Sequence, residues 1–193
     1  MLQISSHDVE KRLAFDNPWW DGECDVDPSY RDLPERAYLA PFIDLVGNRA
    51  VRRAIILLGP RRVGKTVIIH QTIRDLLSKG TSGNHILFLS LETPVYTDTA
   101  LETFVLQFIE RFKHDRDRPL TVFFDEIQYL KDWEVHLKSL VDTFPSIRFV
   151  VSGSAAAALR LKSRESGAGR FTEFLLPPLT FAEYLRFTAQ EEA

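Results

Sequence analysis

The stretch Gly59-Pro60-Arg61-Arg62-Val63-Gly64-Lys65-Thr66 constrains this chain more than any other. It fits the pattern G-x-x-x-x-G-K-[ST], known as a Walker A motif, and it stands between an apolar run and a helical pattern. The run before it is Ala54-Ile55-Ile56-Leu57-Leu58, and helical spacing follows from Val67 to Lys79. Glycines let the backbone wrap an anion with its N–H groups pointing inward, and the positive end of the following helix adds to the attraction. In such a loop Lys65 reaches the β- and γ-phosphates and the Thr66 hydroxyl ligates Mg²⁺. The expectation is a strand–loop–helix unit that binds a nucleoside triphosphate through residues 59–66.

From Ala54 onward strand and helix patterns alternate, which predicts a parallel sheet covered on both faces. After Ala54–Leu58 the predicted strands are 86–91, 120–124, 148–151 and 171–176. The fold class is therefore α/β: a three-layer P-loop NTPase sandwich with a central, mostly parallel five-stranded sheet. Helical stripes fall at Ile69, Ile73, Leu76 and Leu77, then from Leu101 to Phe112, then at Trp133, Leu137, Leu140, Val141 and Phe144. Residues 155–161 also favour helix. Gly80 is placed to cap the first of these helices, and Thr180 with Glu183 three residues later gives a capping box for the last. The mixed-sign run from Lys113 to Arg118 reads as a solvated turn.

Three segments are expected: an arm at 1–46, a nucleotide-binding core at 47–176, and at 177–193 the start of a C-terminal lid or linker. The arm is irregular in pattern until a short helix at 38–46. Asn17-Pro18-Trp19-Trp20 is a turn carrying two large apolar groups, read as an anchor onto the core. The alternative is that this arm covers the adenine base.

The third strand delivers Asp125-Glu126. Asp125, at the end of an apolar strand beside the loop, suits Mg²⁺, directly or through water, as in a Walker B motif. Glu126 suits a general base that polarises the attacking water. The fourth strand delivers Ser152-Gly153-Ser154, where either Ser152 or Ser154 is placed to sense the γ-phosphate or to cap the next helix. Arg170 enters the last strand from a Gly-rich turn. It is a candidate for stabilising transition-state charge, in its own subunit or a neighbour's, or else a surface arginine like Arg160, Lys162 and Arg164.

Net charge is −3, which gives no global attraction to nucleic acid or anionic membrane. Cys24 is the only cysteine, so intrachain disulfides and thiolate zinc sites are excluded. The five histidines lack metal-ligand spacing. Neither a signal peptide nor a membrane-length apolar run occurs, and a cytoplasmic location is expected.

Taken in order, Asn17-Pro18-Trp19-Trp20, the 59–66 loop, Asp125-Glu126-Ile127-Gln128 with Trp133, Ser152-Gly153-Ser154, Gly169-Arg170 and Pro178-Leu179-Thr180-Phe181-Ala182-Glu183 resemble bacterial and archaeal AAA-type ATPases. The resemblance is to the subgroup with an uncharacterised C-terminal domain. It implies an AAA+ or STAND-like core with ATP and Mg²⁺ as ligands, Asp125 and Thr66 at the metal, and Glu126 as base. A sensor at Ser152 or Ser154 and an arginine finger at Arg170 are implied as well. The family pattern continues into a lid and second domain, so the chain reads as a fragment, a truncated gene or a minimal member. The function expected is ATP hydrolysis, an acid-anhydride hydrolase reaction coupled to conformational change, with a nucleotide-dependent homo-oligomer and an unidentified protein partner. The alternative is a nucleotide-binding switch with negligible turnover. No N-K-x-D guanine motif is present, which favours adenine, and no helix-turn-helix signal points to DNA.

Overall fold

Alternating side chains along each strand must find apolar cover on both sides when a sheet is parallel throughout, and that requirement organises this molecule. The computed structural model describes residues 6–22, 26–96, 99–154, 157 and 169–188. Five strands, β1 (Ala54–Leu58), β2 (Ile86–Ser90), β3 (Leu120–Asp125), β4 (Ile147–Gly153) and β5 (Phe171–Leu175), form one sheet in the order β2-β3-β4-β1-β5. All four pairings are parallel.

Besides four short 3-10 turns, seven α-helices are described: α1 (Ser6–Asp16), α2 (Pro28–Arg31), α3 (Leu39–Gly47), α4 (Lys65–Ser78), α5 (Leu101–Phe112), α6 (Trp133–Thr143) and α7 (Phe181–Phe187). Ile55, Leu57, Phe88, Phe123 and Val150 face one way and bury against α3 and α4. Ile56, Leu58, Leu89, Phe124 and Val151 face the other way and meet α1, α5 and α6. The three-layer α/β expectation holds. Gly80 N–H bonds to the Leu77 carbonyl and Thr81 N–H to that of Leu76, so α4 closes at Gly80 with two bonds. The capping box at Thr180 and Glu183 is formed with both reciprocal bonds. The stretch 155–161 lies almost wholly outside the described residues.

The arm departs from its irregular reading. Residues 6–16 are helical and pack against β2 and the turn at 94–96, and Val9 and Leu13, one turn apart, bury in the core on that face of the sheet. The chain then turns around the outer edge of β2, whose backbone groups would otherwise face solvent. Asn17 Nδ2 donates to the Phe88 carbonyl at 2.9 Å, and Asn17 Oδ1 accepts from Phe88 N–H at 2.6 Å. Trp19 and Trp20 each donate Nε1–H to the Ile86 carbonyl, at 3.1 and 2.8 Å. Trp19 is buried, and Trp20 stacks on Phe108. These contacts are those of anchors.

Candidate functional site

Strand order brings the chemistry together. β4 lies between β1 and β3, and its register sets Gly153 beside Leu58 and Val151 beside Phe124. The loop that leaves β1, the carboxylate that ends β3 and the serine of β4 therefore converge at one edge of the sheet. Ligands of open α/β sheets gather at this carboxyl edge.

Within the loop the backbone takes unusual turns. Gly64 has φ 91°, a conformation that suits glycine, and Arg62 stands at φ 65°. A Cβ on Gly59 would meet the Leu176 carbonyl oxygen at 2.5 Å, so the loop runs tight against the chain leaving β5. Lys65 opens α4 and is buried; its Nζ donates to the Gly59 and Pro60 carbonyls at 3.2 and 3.0 Å and lies 3.8 Å from a Glu126 oxygen. The lysine, the loop and the acid thus share one small volume, with the N-terminus of α4 directed into it.

Asp125 is 2% exposed. The Thr66 hydroxyl donates to its Oδ2 at 2.7 Å, and the Ser152 hydroxyl donates to its Oδ1. Burial holds this carboxyl above the usual carboxylate range, partly offset by those two hydroxyls. Among the described residues no basic group forms an ion pair with it. A buried carboxylate with a threonine hydroxyl on one oxygen and no cation partner fits Mg²⁺. No described group of three or more His, Cys, Asp or Glu is arranged to hold a metal by itself. Mg²⁺ commonly binds through one or two side chains plus substrate phosphates, which suits this donor set.

Glu126 has left-handed backbone (φ 56°), and its N–H donates to Ser152 Oγ at 2.9 Å. Gln128 Nε2 donates to the Glu126 carboxylate, while Gln128 Oε1 accepts from Ser154 N–H at 3.1 Å. Of the two serines, Ser152 therefore engages Asp125 and Glu126 directly, and Ser154 joins through its backbone. Arg170 is not brought to this cluster. It precedes the first residue of β5, which pairs with Ala54 at the opposite end of β1, and its guanidinium meets Asp142 at 2.9 Å. The length of a five-residue strand, about 16 Å, separates it from the loop within one chain.

Two features carry no local motif. Arg36 is buried and donates to both oxygens of Glu183 at 2.7 and 2.9 Å and to the Val63 carbonyl at 2.8 Å, tying the loop to α7. This pair holds the Glu183 carboxyl down at about 2. A cleft of about 720 Å³ opens beside Thr66 and Asp125, walled by Arg12, Asp16 and Tyr30 of the arm and by His70 and Ser90. The Asn-Pro-Trp-Trp turn and the Thr-x-x-Glu pattern are the sequence signals near these features; the first marks the arm, and the second gives Glu183 only its capping role.

Such a sheet, with a glycine-lysine loop leaving β1 and an acid ending β3, defines a P-loop nucleotide-binding α/β domain. A family model described as "AAA domain" matches residues 51–185. The chain belongs to that AAA domain family. It is 30% identical over 138 residues to an uncharacterised protein of Methanocaldococcus jannaschii, covering 71% of this chain and 28% of the other. It is 28% identical over 130 residues to an uncharacterised protein of Haemophilus influenzae, covering 67% of this chain and 32% of that one. The chain thus spans about a third or less of the length of these relatives. A solved structure of a DNA replication initiation factor superposes with a TM-score of 0.53 at 14% identity, over 86% of this chain and 55% of the other, a likeness of fold. Family and fold support nucleotide binding. No helix among the described residues is long and apolar enough to cross a membrane.

Proposed function

We propose that this domain binds ATP with Mg²⁺ and hydrolyses it, coupling hydrolysis to conformational change. The observation that carries the reading is the Thr66–Asp125 hydrogen bond of 2.7 Å, with Lys65 Nζ 3.8 Å from Glu126 in the same volume. Backbone N–H groups of residues 59–66 and the Lys65 ammonium would hold the phosphates. Thr66 and Asp125 would hold Mg²⁺, which when bound supplies charge neutralisation at the phosphates. Glu126 would accept the proton of the attacking water, with Gln128 and Ser152 fixing its position. Lys65 leaves the Gly59 and Pro60 carbonyls when the phosphates arrive.

The test is phosphate release by wild type, Lys65→Ala and Glu126→Gln, with nucleotide binding measured alongside. Lys65→Ala is expected to lose nucleotide binding. Glu126→Gln is expected to keep it while turnover falls about 10²- to 10⁴-fold, the range typical of a lost general base. An unchanged rate in Glu126→Gln would remove Glu126 from that role.

One observation favours the second reading, a nucleotide-binding switch. The Glu126 carboxylate is already engaged by Gln128, which also binds Ser154 N–H. Binding without phosphate release in wild type, with Gln128→Ala restoring release, would support the switch.

A further inference from the structure

We propose that the edge of the sheet opposite the nucleotide loop carries a second anion site, a pocket that takes a small phosphoryl anion such as pyrophosphate. The pocket measures about 230 Å³ and is walled by Arg49, Arg52, Arg53 and Arg148, with no acidic residue among the described residues of its lining. Arg53 directly precedes β1, and Arg148 lies at the start of β4, so the pocket sits a full strand length away from residues 59–66.

Two of the arginines, the buried Arg148 and the more exposed Arg49, are fixed. Arg148 is 6% exposed, and its terminal nitrogens donate to the carbonyls of Val51 (3.1 Å), Arg53 (2.7 Å) and Asn48. Its Nε is buried and finds no acceptor. Arg49 donates to the Leu120 and Ser146 carbonyls and the Thr121 hydroxyl. Among the described residues none of the four arginines is within ion-pair distance of a carboxylate. Carbonyls satisfy N–H donors but bring only partial charge. Burial therefore holds both guanidiniums below the usual arginine range, and Arg49 depresses Arg148 further.

The other two are available. Arg53 uses Nε on the Gly169 carbonyl, and Arg52 makes no hydrogen bond or ion pair with a described residue. A purely structural clamp accounts for Arg49 and Arg148, which staple the 48–53 segment to the starts of β3 and β4. It does not account for two more exposed guanidiniums over the same hollow with no acid among the described residues of its lining. An anion there would satisfy the charge the carbonyls leave, and planar guanidiniums match phosphoryl oxygens two at a time. Size selects the class: at roughly 30 Å³ per water the pocket holds about eight waters. That is below the roughly 300 Å³ at which drug-sized ligand pockets begin.

Calorimetric titration of the full chain with pyrophosphate tests this, using wild type, Lys65→Ala, Arg52→Glu/Arg53→Glu, and the three changes combined. Both reversed arginines are exposed, so the fold is retained, with circular dichroism as the check. Lys65→Ala should keep one saturable equivalent, and adding the two reversals should weaken it at least tenfold. Inorganic phosphate and ADP, titrated separately into Lys65→Ala, identify the source as free anion or nucleotide tail. No saturable pyrophosphate binding in Lys65→Ala, or binding indifferent to the reversals, would overturn the proposal. Retention of a single-stranded oligonucleotide without pyrophosphate saturation would overturn it too. Loss of nucleotide binding at residues 59–66 bears only on the other site.

Discussion

His70 stands one helical turn after Thr66, with its ring stacked on Tyr30 at 4.1 Å and 2° and tilted against Phe88 at 4.6 Å. Its Nδ1 is buried without a hydrogen-bond partner. Burial lowers its pKa from 6.5 to about 4, slightly opposed by Asp27. Because the folded value is depressed, the unfolded chain takes up the proton first as the pH falls. The stability is whole above about pH 6.5 and declines as the pH falls to about 4, by about 3 kcal/mol at 1.36 kcal/mol per unit. Urea unfolding of wild type and His70→Phe at pH 7.5 and 4.5 checks this: the variant should lose part of the acid sensitivity, and equal slopes would refute the assignment. At this scale the convergence of Lys65, Thr66 and Asp125 was legible, since the loop and the acid at a strand end are each marked by neighbours along the chain. Gln128 stood inside a quoted motif without a role, because its second partner, the Ser154 N–H, lies 26 residues on. Arg36 was silent for the same reason: Glu183 is 147 residues away.

Among the elements, the exposed edge of β2 depends on Asn17. That one side chain imitates a neighbouring strand by accepting from and donating to Phe88, and it is fully buried while doing so. Asn17→Leu keeps the volume but leaves a buried N–H and a buried carbonyl unpaired, at about 1–3 kcal/mol each. A loss of about 3 kcal/mol in chemical denaturation is the expected outcome, and a loss below about 1 kcal/mol would mean water or other groups satisfy the strand. Strands and core helices were legible because their periodicities are long and strong. α1 was not: Val9 and Leu13 are its only buried apolar residues, too few to raise a helical stripe above the polar background. Tertiary contact with β2 and the turn at 94–96 supplies what the pattern lacks.

For the molecule as a whole, the parallel register puts Arg170 at the wrong end of β5 to meet the loop of its own chain. If it completes a site, that site belongs to a second copy. The corresponding experiment is mass determination with and without ATP and Mg²⁺, paired with turnover of Arg170→Ala at low and high protein concentration. Nucleotide-driven assembly and a large rate loss confined to the assembled form are the outcomes expected for action between subunits. A wild-type rate in an assembled variant would leave Arg170 as the partner of Asp142 alone. The sequence placed Arg170 at the start of the last strand, and only the parallel pairing of that strand with β1 fixes this start at the end of the sheet opposite the loop.

Arg36 gives the domain a mechanical property. One rigid, flat group is bonded at the same time to the Val63 carbonyl in the loop and to the carboxylate that caps α7. Such a group cannot swivel to follow the loop without loosening its grip on the helix. The loop and the first turn of α7 are thereby joined through a single side chain, so freeing one from the other means breaking a buried, charge-assisted pair.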